Sequence, residues 1–342
     1  MTPFKIPFPR PRGPVVETLT RYLSEFRPLV DKKIMEVLEG SPKELYEAAR
    51  HLPSKGGKRL RPALVLLVNK ALGGEVEGAL PAAAAVELLH NFTLVHDDIM
   101  DRDELRRGVP TVHVLYGESM AILAGDLLYA KAYEALLQSP QPPDLVKEMT
   151  EVLTWSAVTV AEGQAMDMEF EKRWDVTEEE YLEMIEKKTG ALFGASAALG
   201  ALTANKREVK DLMKEFGLIL GKAFQIKDDV LSLLGDEKVT GKPKYNDLRE
   251  GKKTILVIYA LRNLPRDEAE RVKSVLGRET SYEALEEVAE LIKRSGALDY
   301  AMKLAEEFEK RAYEILETVR FEDEEAMRAL KELVDFAVKR EY

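Results

Sequence analysis

Asp97 and Asp101 stand four residues apart in "HDDIMDRDELRR" (residues 96–107), directly after a long apolar run. On a helix that spacing sets both carboxylates on one face, about 6 Å apart along the axis. Like charges at this separation destabilise a helix, so the pair needs a cation. Mg²⁺ suits it, being a hard ion that takes one or two carboxylates and completes its shell with water and phosphate oxygens. Asp98 points about 100° away from Asp97 and reads as a supporting group, whereas Asp103 and Glu104 read as surface charges. A lone acid pair is most often a solvated helix end. Here a second pair, Asp228 and Asp229 in "FQIKDDVLS", leaves an equally apolar segment, and the two together read as facing metal-binding walls. His90 lies seven residues before Asp97, two turns up the same face; a site residue and an ordinary core histidine are both open for it.

The cations come in islands. "SKGGKRLRP" carries Lys58, Arg59 and Arg61, "RR" is Arg106 and Arg107, "EKKTG" sets Lys188 beside Thr189, and "REGKKT" carries Lys252 and Lys253. The whole chain is acidic, with 61 Asp and Glu against 50 Lys and Arg and a net charge of -11, which argues against a general nucleic-acid binder. Any one island is most often a solvated face. Beside metal-binding carboxylates, however, arginine forks and lysine point charges suit a polyphosphate. A nucleotide-binding loop fails on spacing, because neither "GGKRLRP" nor "GKKT" completes GxxxxGK[ST] and neither follows a strand. The absence of cysteine removes disulfides, thiolate catalysis and sulfur-bound zinc.

The elements that must position these groups are helices. Segments such as "VETLTRYLSEFRPLVDKKIMEVL", "EEEYLEMIEKKTGALFGASAALG" and "LMKEFGLILGKAFQIKDDVLSLL" repeat apolar residues at three and four, and no convincing alternating strand is found. "AAAAVELLHNFTLVHDD" and "GALFGASAALGALTA" lack a polar face, as helices at the centre of a bundle do, so carboxylates leaving them point inward. With 45% hydrophobic and 32% charged residues among 342, and breaks such as "QSPQPPD" that carry no linker composition, the chain reads as one all-α domain of roughly a dozen helices. That domain spans residues 15–342 after an extended, proline-rich arm over residues 1–14. The arm lacks the apolar core of a signal peptide, and no uninterrupted apolar run approaches the roughly 18 residues of a membrane span, so a cytoplasmic protein is expected. Four glutamines and five asparagines among many Lys, Arg and Glu fit a heat-adapted composition, in which a retained amide has a task.

"GGKRLRP", "HDDIMDRDELRRGVPTVH", "GQAMD", "KTGALF", "FQIKDDVLS" and "GKPKYNDLREGKKT" occur in that order between about residues 56 and 254. In order and spacing they resemble the motifs of trans-isoprenyl diphosphate (polyprenyl) synthases, most closely the archaeal-type geranylgeranyl diphosphate synthases. The resemblance implies an all-α isoprenoid-synthase bundle around a deep central cavity, dimeric, in which two aspartate-rich walls hold three Mg²⁺ on an allylic diphosphate. Carried over residue by residue, Asp97, Asp101 and Asp228 would ligate metal. Arg106, Lys188, Lys242 and Lys252 would grip the allylic diphosphate (dimethylallyl, geranyl or farnesyl), and Lys58, Arg61, His90 and Arg107 would hold isopentenyl diphosphate. Lys188, Thr189, Gln225 and Lys252 would serve the chemistry, with Thr189 and Gln225 turning oxygen dipoles toward an allylic cation. Gln164 and Gln225, two of the four glutamines, fall inside these motifs.

The second acid motif departs from the family pattern, ending on Ser232 where an aspartate is usual; Asp236, one turn on, is the substitute considered. For product length the resemblance points to Phe92, five residues before Asp97, with Thr93 and Leu89 beside it. It implies twenty-carbon geranylgeranyl diphosphate, with fifteen-carbon farnesyl diphosphate as a released intermediate. On a bare helical wheel Phe92 lies about 140° from Asp97, so this assignment rests on the resemblance. Two other readings stand beside it. A terpene cyclase shares the DDxxD logic but needs no second diphosphate site, and a silent partner subunit of an active synthase is favoured only by Ser232.

Overall fold

The computed structural model describes residues 16–341 except 236 and 279. The arm expected over residues 1–14, and Asp236, therefore lie outside the described residues. Helices fill the rest, as the periodicity predicts. α1 (Glu17–Val37), α2 (Lys43–Arg50), α3 (Leu60–Ala71) and α4 (Val76–Asp101) lead into a small hairpin, β1 (Leu105–Arg106) with β2 (Val109–Pro110). α5 (Val112–Tyr116), α6 (Glu118–Leu137), α7 (Pro143–Glu171) and α8 (Glu178–Ile185) follow, and α8 runs through one π-helical turn, Glu186–Gly190, into α9 (Ala191–Thr203). After α10 (Lys210–Leu234) come the short α11 (Glu237–Thr240) and α12 (Asn246–Glu250), then α13 (Ile255–Asn263), α14 (Arg266–Val275), α15 (Tyr282–Arg294), α16 (Ala297–Thr318) and α17 (Glu324–Lys339).

The two segments without a polar face form the centre. Residues 191–202 of α9 are all buried, packed among α3, α7 and α10. Residues 81–89 of α4 are buried without a break. α4 is the one helix among the described residues whose length and composition match a membrane span, 26 residues with a window of mean hydropathy 1.2, although Glu87, His90 and Asn91 interrupt its apolar run. Because 67% of that window is buried inside the protein, its apolar surface serves the core.

Two close approaches set the backbone under the site. A Cβ on Gly163 of α7 would lie 2.3 Å from the Lys188 backbone nitrogen, and one on Gly221 of α10 would lie 2.6 Å from the Gly190 Cα. Only glycine lets both helices press against the π turn that carries Lys188 and Thr189.

The hairpin corrects the expectation of no strands. With two residues per strand, pairing Leu105 with Pro110 and Arg106 with Val109, it is too short to show alternation. Both of its turn residues, Arg107 (φ 54°) and Gly108 (φ 73°), are left-handed, as a two-residue hairpin turn requires. The reversal sends the neighbouring arginines to different partners.

Candidate active site

The C-terminal end of α4 makes the first wall. Asp97 is half-buried and, among the described residues, has no ion-pair partner; burial, with Asp101 beside it, pushes its carboxyl up to about 6. Two carboxylates one helical turn apart fit the donor set of a divalent metal. Asp98, 1% exposed, instead receives a bidentate grip from Arg106, Nε to Oδ2 at 2.8 Å and Nη2 to Oδ1 at 2.8 Å. Its supporting place thus has a definite form: it orients the guanidinium.

Lys252 gathers the carboxylates. Its Nζ lies 2.6 Å from Glu171 Oε1, 3.2 Å from Asp167 Oδ2, 3.5 Å from Asp101 Oδ1 and 3.9 Å from Glu250 Oε2. Lys188 joins Asp167 Oδ2 at 2.7 Å, so one buried aspartate on α7 bridges both lysines. Asp167 lies in the "GQAMD" motif, but its type alone gave no role; two lysines converging on it supply one. Gln164, in the same motif, sets its Nε2 3.7 Å from Met100 Sδ, and its Oε1 is buried without a partner among the described residues.

Asp103 corrects the sequence reading. It is not a surface charge but 8% exposed, receives Lys242 Nζ at 3.0 Å, and has carboxylate oxygens within 4.8 Å of those of Asp101 and Glu250. Burial and the neighbouring Asp103 carboxylate push the Glu250 carboxyl up to about 9. Glu104 is exposed, as expected.

The second wall lies on α10. Asp228 is ion-paired with Arg340, 112 residues on, whose guanidinium also stacks 3.8 Å over the Phe224 ring. Nothing in the spacing of "FQIKDDVLS" announces this partner. Asp229 faces the other way. It accepts a hydrogen bond from the Tyr181 hydroxyl and one from Gln225 Nε2 at 3.0 Å, while Thr189 Oγ1 donates to Gln225 Oε1 at 2.8 Å. These residues, with Asp167, Lys188 and Lys252, line a cavity of about 110 Å³. A larger cavity of about 1230 Å³ runs along the outer side of α7 past Trp155 and Val158, and none of the predicted site residues lines it.

A separate basic region surrounds His90. Burial and the arginines 61, 107, 106 and 59 hold its imidazole well below its usual range, so it is neutral. Arg61 sits 4.5 Å over the Phe193 ring with its Nε unpartnered among the described residues, and burial lowers it to about 10. Arg107 reaches the Leu52 and Gly56 carbonyls at 2.9 and 3.0 Å. Lys58 lies 4.8 Å over the Phe336 ring, and burial followed by Arg340 lowers it. Arg59 has a structural part, tying the loop to Asp31 at 2.8 Å and Glu87 at 3.1 Å.

Phe92 faces neither acid wall. Its ring meets His96 at 5.0 Å and Tyr129 of α6 at 5.1 Å. Leu89 is 1% exposed, and Thr93 Oγ1 donates back to the His90 carbonyl at 2.6 Å.

A family model described as polyprenyl synthetase matches residues 42–294, well over half of the chain and every motif above. The chain belongs to the polyprenyl synthetase family. It is 48% identical to the geranylgeranyl diphosphate synthase of Sulfolobus acidocaldarius over 93% of this chain and 98% of that one. Its fold superposes with a TM-score of 0.87 on geranylgeranyl pyrophosphate synthetase from Pyrococcus horikoshii, at 44% identity over 95% and 99% of the two chains. A polyprenyl synthase from Caulobacter crescentus, solved with calcium and isoprenyl diphosphate, superposes at 0.90 with 32% identity over 98% and 100%. The chain is therefore an all-α prenyltransferase of a family that uses Mg²⁺, and neither the terpene cyclase nor the silent-subunit reading is favoured.

Proposed function

We propose that this chain condenses isopentenyl diphosphate with allylic diphosphates, head to tail (1′–4), to make geranylgeranyl diphosphate, working as a cytoplasmic homodimer on dimethylallyl, geranyl and farnesyl diphosphates. The observation that carries the reading is the presence of two distinct cation sets. Arg106, Lys188, Lys242 and Lys252 are held among wall carboxylates, while Arg61 and Arg107 gather around a neutral His90. Two sets suit two diphosphates, one metal-bound and one not.

In this reading Asp97 and Asp101 on one wall and Asp228 on the other would hold Mg²⁺, three ions by the family resemblance, which would supply positive charge to the departing diphosphate. Arg106, Lys188, Lys242 and Lys252 exchange their carboxylates for allylic diphosphate oxygens, while Lys58, Arg61, His90 and Arg107 seat isopentenyl diphosphate. The C1–O bond breaks with its electron pair leaving on the diphosphate. Thr189, whose hydroxyl donates a hydrogen bond to Gln225 Oε1, presents oxygen lone pairs to the allylic cation. The isopentenyl double bond attacks C1, a proton passes to the released diphosphate, and a new double bond remains. Enclosing walls exclude water from the cation. Labelled isopentenyl diphosphate incubated with farnesyl diphosphate, Mg²⁺ and the purified chain tests the proposal. Label must appear in a twenty-carbon diphosphate, and no transfer to any allylic partner refutes it.

In the same reading Phe92, whose ring meets those of His96 and Tyr129 edge to face, is the floor of the product chamber. Phe92→Ala removes that floor, so products of twenty-five carbons or more should replace the twenty-carbon one on thin-layer analysis. An unchanged product refutes the assignment.

Arg340 pairs with Asp228 and must give way for Asp228 to bind metal. Arg340→Gln should therefore tighten Mg²⁺ binding in calorimetry by roughly three- to tenfold, about 1 kcal/mol. Unchanged or weaker binding would remove Asp228 from the ligand set.

A further inference from the structure

The α8 tyrosine, Tyr181, is 1% exposed and belongs to none of the motifs that mark the chemistry. Its hydroxyl donates to Asp229 Oδ2, the other carboxylate oxygen takes Gln225 Nε2 at 3.0 Å, and Gln225 Oε1 takes Thr189 Oγ1 at 2.8 Å. All four side chains line the small cavity shared with Lys188 and Lys252. Among the described residues Asp229 has no basic partner within ion-pairing distance, although it is 7% exposed. A buried carboxylate held by two neutral donors is poorly explained by charge balance. It is well explained by direction, because a carboxylate that accepts on both oxygens admits only the NH₂ end of the neighbouring amide.

The direction matters at the far end of the chain. With its NH₂ on Asp229, Gln225 must offer its carbonyl oxygen to Thr189, so the threonine proton points at Gln225. The Thr189 lone pairs are then left toward the cavity. Turning the amide over would set its carbonyl against the carboxylate and its NH₂ against Thr189. The threonine proton would then be free to point into the cavity, presenting the wrong end of the dipole to a developing cation.

We propose that Tyr181 is a positioning residue: by fixing Asp229 it sets the polarity of the Asp229–Gln225–Thr189 chain, and so the sign of the dipole that meets the allylic carbon. This rests on the prenyl-transfer reading above. It adds a residue that touches neither substrate nor metal in that reading and acts only through Thr189.

Tyr181→Phe keeps the ring and deletes one oxygen. With farnesyl and isopentenyl diphosphates its kcat should fall about 10- to 100-fold, while both KM values stay within about twofold because no substrate contact is lost. Release of diphosphate from farnesyl diphosphate alone should fall by the same factor, since ionisation is where the charge develops. Thr189→Val should lose as much or more, and the double variant should lose no more than Thr189→Val by itself. Multiplicative losses in the double variant, or a Tyr181→Phe enzyme with unimpaired kcat, overturn the proposal. Should Tyr181→Phe not fold, neutron diffraction from deuterated wild-type crystals reads the polarity directly. Deuterons from Tyr181 toward Asp229 and from Thr189 toward Gln225 support it, and a Thr189 deuteron turned into the cavity overturns it. A wild-type protein that releases no diphosphate from farnesyl diphosphate overturns the prenyl-transfer reading and this proposal with it. An active wild type with an unimpaired variant overturns this proposal alone.

Discussion

Asp101→Asn is expected to lower kcat by about 10³-fold or more while leaving the fold intact. Loss of a supporting residue around a bound metal typically costs about 10- to 100-fold, and Asp101 is placed as a ligand itself, so the loss should be larger. Asparagine keeps the size of the side chain and removes one hard anionic ligand. Stability should not suffer, because the substitution also removes a like charge beside Asp97 and leaves Lys252 with Glu171 at 2.6 Å and Asp167 at 3.2 Å. Steady-state kinetics across Mg²⁺ concentrations, paired with thermal melts, checks both halves. A kcat within tenfold of wild type would contradict the placement of Asp101. The same wall carries a pH signature. Burial holds Asp97 up at about 6 against 3.8 unperturbed, so without a bound cation the folded state keeps its proton over a range in which the unfolded state has lost it. The metal-free protein therefore loses stability as pH rises from about 4 to about 6, and Mg²⁺ affinity falls as pH drops below about 6.

Lys252→Met should be the most damaging single change to the fold of the site. Lys252 is the shared counter-charge of Asp101, Asp167, Glu171 and Glu250, with its side chain 11% exposed, and those carboxylates hold its ammonium well above its ordinary range. Removing one member of a buried ionic group leaves uncompensated charge and costs about 3–5 kcal/mol. The melting temperature should fall accordingly, and Mg²⁺ should recover part of the loss by offsetting the stranded carboxylates. Activity should drop about 100-fold beyond any effect of unfolding, because a donor aimed at the leaving diphosphate is gone. Lys252→Arg separates the two effects: it restores the charge, and so the stability, better than it restores the activity, since a planar fork does not replace a point charge at a site with four acceptors. A variant as stable as wild type would show that the four carboxylates are balanced without Lys252.

The helical class was legible, and so was the place of the two acid pairs on core helices, because periodicity and spacing are local. Apolar residues at three and four made the helices, and the two segments without a polar face marked α4 and α9 as central. The π turn under Lys188 was not legible, since it arises where Gly163 and Gly221 let α7 and α10 press on one segment, and "EEEYLEMIEKKTGALF" reads as unbroken helix. Asp103 was misread as surface because a charged residue after a helix end is usually solvated. Lys242 and Glu250, which enclose it, lie about 140 residues away in sequence. Arg340 on Asp228 was invisible for the same reason, a pairing across 112 residues. Asp167 and Tyr181 carry no signal in their type. Their roles come from what converges on them, two lysines in one case and a shared carboxylate in the other.

Whether both acid walls hold metal on one diphosphate is read most directly by anomalous scattering. Crystals grown with Mn²⁺ and a farnesyl diphosphate analogue carrying sulfur at the bridging position should show anomalous peaks beside Asp97 and Asp101 and beside Asp228, with Arg340 drawn away from Asp228. Peaks confined to the Asp101–Asp103–Glu250 cluster, with Arg340 still on Asp228, would contradict it.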